Sequence, residues 1–371
     1  MNVFHVLIPL LGPALLPIIP MVVASDLDVR VPEGTDVALL IDFDAIRRSG
    51  ANVGKMATDA IDECVRISAF REETGAWMKG FGRILERKRE DAGIMAEDFH
   101  WMLFGLRAKE HYFRDDQSFT QQVWSAAAAI DGCNWKRIGD VVTESGLEWQ
   151  KDSVFGHRVF TVFKKQGKIE RYHVRCVPGG DTMAYFGHDA SREWECYNTS
   201  ASQDARFAEM GCLADKEVVR IVLSDDKPLS DVVRHFYYRN LYPAGLEHIP
   251  DRIQRFMLTL LLDGDDVSAE LVFSCANGED SGTLASAYLA MKTPEGIADM
   301  EKRHKRSSSG RENGLSDMVL RMKKHIVETM EVSCEHNAVV VRTGKQDAKT
   351  ALMIILGWHG SLVDFFETFF R

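Results

Sequence analysis

Apolar positions recur with two different periods along this chain, and the switches between them lay out its elements. Residues 37–43 form a short apolar run behind the turn-forming Val31-Pro32-Glu33-Gly34-Thr35-Asp36, which predicts a strand. No proline occurs over 53–90, and Met56, Ile61, Val65, Ile67 and Phe70 recur near one helical turn. That spacing predicts a long helical region, broken or bent at Gly80 and Gly82. Residues 99–106 and 122–130 read as two strands around a polar connection, and 135–142 as a short helix. A meander follows. Residues 158–163 are strand-like, Gln166-Gly167 turns the chain, and 169–177 returns with Tyr172, Val174 and Cys176 on one face and Arg171, His173 and Arg175 on the other. Pro178-Gly179-Gly180 then turns into a strand over 183–186.

The second half opens with a strand over 218–223 and a helix over about 229–238. Residues 256–262 and 267–273 flank Asp263-Gly264-Asp265-Asp266, a strong hairpin signal because Asp-Gly tolerates the positive φ such a turn needs. Helix resumes over 284–291 and again after Thr293-Pro294, where threonine can cap and proline fits the first turn. Residues 302–314 read as a mobile loop. Ser316 is the expected cap of the next helix, whose Met318, Met322, Ile326 and Met330 share a stripe; 338–341 is a strand, and helices close the chain.

These elements specify an α+β protein, with mostly antiparallel sheets and packed helices. Element order predicts two related β-α-β-β-α-β halves, 25–212 and 213–371, the first carrying extra meander strands. The opening Pro32-x-Gly34-Thr35-Asp36-Val37, its apolar strand ending in Asp42-Phe43-Asp44, and the long helix after it resemble poorly characterised exported bacterial proteins of the domain-of-unknown-function type. The second-half order of apolar hairpin, alanine-rich helix and later strand resembles them too. That resemblance implies an envelope protein and supplies no active site.

Compartment follows from the first residues. Met1 to Ala24 holds no Asp, Glu, Lys or Arg, is apolar from Val6 onward, and ends Val22-Val23-Ala24 before Ser25. Residues 1–24 therefore read as a signal peptide cleaved after Ala24. The prolines at 9, 13, 17 and 20 make the alternative, a retained spanning helix, costly in lipid. The net charge of −10 belongs wholly to the mature part and would repel a phosphate backbone, so nucleic-acid binding is not expected. No transmembrane segment is expected in the mature chain. Seven cysteines without any C-x-x-C pair lack zinc-site spacing and read mostly as buried inert thiols.

Candidate chemistry is sparse. Asp263, Asp265 and Asp266 could attract calcium, but the run enters a strand after four residues where a calcium loop continues to a twelfth. A solvated turn is the better reading. Glu97 and His100 have Glu-x-x-His spacing, but on a segment of strand character and without a second such pair. Gly179-Gly180 and Gly80-x-Gly82 lack the Lys-Ser/Thr of a phosphate loop, and no Gly-x-Ser-x-Gly elbow occurs. Neither a cofactor nor a metal is implied. The cluster 235–239 is the most suggestive: His235, Tyr238 and Arg239 are the candidate ligand-binding residues, with ordinary core packing as the competing account. The basic run Lys302-Arg303-His304-Lys305-Arg306 is either a solvated loop or a contact for an anionic surface. The leading expectation is an exported, non-enzymatic protein that binds an unidentified ligand or envelope partner, through its sheet face. Its rivals are an exported hydrolase with dispersed catalytic residues and a structural or oligomeric component using the apolar Phe365-Phe366-Glu367-Thr368-Phe369-Phe370 tail.

Overall fold

In a computed structural model the described residues are 27–67, 86–114, 117–144, 148–154, 157–166, 169–179, 182–187, 190–199, 203–224, 253–307 and 314–353. The segment 1–24 expected as a signal peptide, the helix expected over 229–238, the bend expected at Gly80 and Gly82, and residues 365–370 lie outside them. The protein is α+β, and all described strand pairings are antiparallel. It makes two compact units, Met1–Arg48 with Gly82–Phe236 and Ser49–Phe81 with Tyr237–Arg371.

In the first unit β1 (Val37–Asp42) is flanked on both sides, by β2 (Phe99–Arg114) and by β8 (Glu217–Ser224). Val37, Ala38 and Leu40 are buried, and Leu39 and Ile41 partly so, as the apolar run requires. Beyond β2 come β3 (Gln117–Ile130), β7 (Met183–Gly187), β6 (Ile169–Pro178), β5 (His157–Gln166) and β4 (Glu148–Val154) in that spatial order. The meander is therefore present, closed by the pair Gln166↔Ile169, and β4 adds a strand that no sequence signal marked.

The polar stretch between the strands of 99–106 and 122–130 is not a connection. Both strands run on through it, pairing down to Arg114↔Gln117. Helices described in this unit include α1 (Phe43–Arg48), α3 (Trp135–Glu144) and α4 (Ala190–Asn198). Asp42 starts α1, its Oδ1 accepting from Ala45 N at 2.8 Å. Helix α4 packs on β3, β6 and β7. It delivers the fully buried Glu193 to a gap left by Gly105, where Ser125 Oγ donates to Glu193 Oε1 at 2.5 Å.

The second unit is built on the hairpin of β9 (Ile253–Asp263) and β10 (Asp266–Cys275), with strand order β11-β12-β10-β9 and β13 (Gln346–Asp347) also paired to β10. β11 is Glu331–Glu335 and β12 Ala338–Arg342. At the β9–β10 turn Gly264 takes φ +62°, the left-handed region expected of an Asp-Gly turn. Lys345 Nζ lies 2.7 Å from Asp263 and 3.8 Å from Asp266, so a side-chain ammonium answers two carboxylates of that run. Helix α5 (Gly278–Met291) packs on β10, β11 and β12, burying Leu284 and Tyr288; the Tyr288 ring lies against Phe273, which in turn meets Phe256. Thr293 Oγ1 accepts from Gly296 N at 3.1 Å and starts α6 (Pro294–Ser307).

Two expectations fail here. Lys302 to Arg306 is the last part of α6 and not a loop, because straight-chain basic residues are good helix formers. Arg303 pairs with Asp299 one turn back. Ser316 does not cap the next helix, since α7 (Gly314–Thr329) already includes it. His304 Nε2 instead lies 2.9 Å from both Ser316 O and Ser316 Oγ, tying α6 to α7. Among the described residues no helix is long and apolar enough to cross a membrane.

Candidate functional site

Three segments distant in sequence meet in the second unit. The first is α2 (Val53–Arg66), started by Asn52, whose Oδ1 accepts from Lys55 N at 2.9 Å. Its inner face carries Ala60 and Cys64, both fully buried, against Met353. The Cys64 thiol donates to the Met353 carbonyl at 3.6 Å, and burial pushes its pKa up to about 11. It is a packing group held in its protonated form. Val65, Ile67, Met318 and Leu352 pack around this nucleus, which brings α7 and residues 346–353 alongside α2.

Above the nucleus lies a cleft of about 330 Å³. Ile67, Met318 and Met353 make its apolar floor, and its rim is charged: Glu63 and Arg66 from α2, Asp317 and Arg321 from α7, Asp347 and Lys349 from the last segment. The hydrogen bonds divide these charges into two sets. Arg66 Nε donates to Glu63 Oε2 at 2.8 Å, and the second oxygen takes Arg66 Nη2, a paired fork that lowers the Glu63 pKa and raises that of Arg66. Asp347 Oδ2 accepts from Thr350 N at 2.7 Å and from Thr350 Oγ1 at 2.5 Å. One oxygen taking both groups is a helix-capping geometry, so Asp347 is not poised to activate the hydroxyl as a nucleophile. By contrast, Asp317, Arg321 and Lys349 have no ion-pair partner within 4 Å among the described residues.

The lining residues include no histidine, and the nearby thiol is beneath the floor and protonated. Such a site can hold a molecule by apolar contact and charge, and its described residues offer no nucleophile with a base. Its walls are helices and a terminal segment, where the sequence pointed to a sheet face.

The Glu97–His100 pair resolves differently. Glu97 sits in a single 3₁₀ turn (Ala96–Asp98) and His100 in β2. His100 is instead flanked by two carboxylates, with Nδ1 3.0 Å from Asp44 and Nε2 2.9 Å from Asp131. Arg47 pairs with Asp44 and donates to the carbonyls of Ala96 (3.1 Å) and Phe99 (2.7 Å), which fixes the Asp44 side of the ring. Burial, the largest single influence, favours the neutral ring, but the hydrogen bonds to Asp131 and Asp44 together outweigh it and hold the pKa above its ordinary value. Among the described residues no group of three or more His, Cys, Asp or Glu side chains is placed to hold a metal.

His235, Tyr238 and Arg239 lie outside the described residues. All seven cysteines are free thiols; Cys212 and Cys334 are exposed and the other five buried.

No protein-family model matches the chain, and no curated protein does. Among solved structures, crystal form I of TP0453 is similar at a TM-score of 0.42 and 9% identity, covering 90% of this chain and 97% of that one. Crystal form III of TP0453 gives 0.42 and 9%, over 88% and 95% of the two chains.

Proposed function

We propose that this is an exported, non-enzymatic binding protein of the envelope or extracellular space that holds a small ligand in the cleft of its second unit. The observation that carries the reading is the cleft itself: an apolar floor of Ile67, Met318 and Met353 beneath a rim on which Asp317, Arg321 and Lys349 have no ion-pair partner among the described residues. Its volume of about 330 Å³ falls in the range of small-molecule sites, about 300–1,000 Å³. Export is supported by the leader-like pattern of Met1 to Ala24 and by the organisation of the strand and helix that follow.

Thermal unfolding of the mature chain in the presence of small amino acids, short fatty acids and sugars tests the proposal. A ligand at a hundred times its Kd adds about 2.7 kcal/mol, which is a rise of several degrees for a unit of this size. The rise should vanish in Met318→Trp, which fills the cleft from half-buried α7. Equal stabilisation of both proteins, or conversion of the ligand to a product, would overturn the reading.

A further inference from the structure

We infer that the ligand of this cleft is a zwitterion bearing an apolar side chain, an apolar α-amino acid or the ends of a short apolar peptide; this rests on the binding role proposed for the cleft.

Charge left over on the cleft rim points to such a ligand. Glu63 and Arg66 satisfy each other, and Asp347 is spent on the Thr350 backbone and hydroxyl. Lys349 lies close enough to Glu63 to help lower its pKa, so part of its charge is already answered. Asp317 and Arg321 remain. They stand four residues apart on α7, about 6 Å along its axis and on one face, yet they do not pair with each other. An unpaired carboxylate and guanidinium at that separation, one turn apart, present one site for an ammonium and one for a carboxylate.

A simple anionic amphiphile fits less well. Its head group would reach Arg321 only by lying beside Asp317, at a cost in repulsion, and would leave that carboxylate unanswered. A simple amine has the converse difficulty at Arg321. A zwitterion answers both, and its side chain falls on Met318, which lies between the two charged residues in sequence and on the cleft floor. Two of the three floor residues are methionines, whose flexible and polarisable thioethers adapt to linear or branched apolar groups alike. The floor therefore selects for apolarity and size more than for shape. At about 330 Å³ the cleft suits a single residue or a dipeptide and not a long chain.

Isothermal titration of the full mature chain with five probes tests this: L-leucine, leucyl-leucine, N-acetyl-L-leucine, L-leucinamide and octanoate. Leucine or the dipeptide should bind one per chain, and whichever binds tighter identifies the source as free amino acid or peptide. Blocking either end should weaken binding at least about tenfold, the loss expected for one charge-assisted contact. Arg321→Gln should weaken leucine about tenfold while leaving leucinamide unchanged, and Asp317→Asn should do the same for leucine while leaving N-acetyl-leucine unchanged. Both side chains are exposed, so neither substitution threatens folding. Octanoate binding as tightly as leucine, with loss in Met318→Trp, would overturn the zwitterion and leave the cleft as a binding site. Failure of all five probes, or indifference to both substitutions, would also overturn it, and the thermal-shift panel would then decide the cleft separately.

Discussion

Glu217 and Arg220 form a buried ion pair in the first unit, and removing one partner should be among the costliest changes this protein can suffer. Their exposures are 2% and 7%. Arg220 Nε donates to Glu217 Oε1 at 2.6 Å and Nη2 to Oε2 at 2.7 Å, while Ala214 N gives Oε2 a further bond at 2.9 Å. Among the described residues, only the Glu209 carbonyl, which accepts from Nη1, would remain to Arg220 as an oxygen partner if the carboxylate were lost. In Glu217→Gln the shape is kept but a buried guanidinium faces a neutral amide, and such broken pairs cost about 3–5 kcal/mol. Arg220→Met strands the carboxylate and should cost a similar amount. The double variant removes both charges and should recover most of the loss, since a buried pair replaced by apolar bulk is often close to neutral. Urea unfolding gives the cycle. Because the chain has two units, the transition is assigned by hydrogen exchange at the β1 and β8 amides. A Glu217→Gln cost below about 1 kcal/mol, or additive single and double losses, would refute the argument that this pair is dry and mutually dependent.

Three further outcomes follow from other parts of the molecule. His100, held between Asp44 and Asp131 with Arg47 behind Asp44, has a raised pKa, so its contribution is fully present below the unfolded value of about 6.5 and is lost as pH rises through the folded value. His100→Gln should therefore destabilise by up to about 1 kcal/mol at pH 6, since the ring is partly exposed and screened, and by less at pH 9; equal losses at both would exclude the ion-pair account. Cys212 and Cys334 should react with a maleimide in the native state, whereas Cys64, Cys133, Cys176, Cys196 and Cys275 should label only on unfolding, as counted by intact mass. Phe256→Ala, in a fully buried stack with Phe273, should cost about 3–5 kcal/mol in urea unfolding.

How much of this was legible in the sequence depended on whether a signal was local. β1, the β9–β10 hairpin and the start of α6 could be read directly, because Asp263-Gly264 and Thr293-Pro294 impose their geometry on their immediate neighbours. The long β2–β3 arm was missed beyond Leu106, since Arg107, Lys109, Glu110 and His111 offer no alternating apolar face and strand pairing alone carries the ladder onward. Lys302 to Arg306 misled in the opposite direction: a run of positive charge suggests a loop, yet straight-chain basic residues are good helix formers. The cleft was the least legible part. Its residues come from three segments, 63–67, 317–321 and 347–353, that no motif spans. Ile67 and Met318 belonged to patterns visible beforehand, the helical spacing after Val53 and the methionine stripe of α7, and both patterns read equally as core. Glu193, buried against Ser125, carried no sequence signal at all, since an acidic residue in a helical segment is ordinarily a solvated one.

The measurement that bears most directly on the central claim is native mass spectrometry of the protein with L-leucine, run beside Met318→Trp. The account predicts one noncovalent ligand per chain on the parent protein, unchanged in mass over time and absent from the variant. Equal occupancy of the two proteins, or an added mass that shifts as the ligand is consumed, would contradict it.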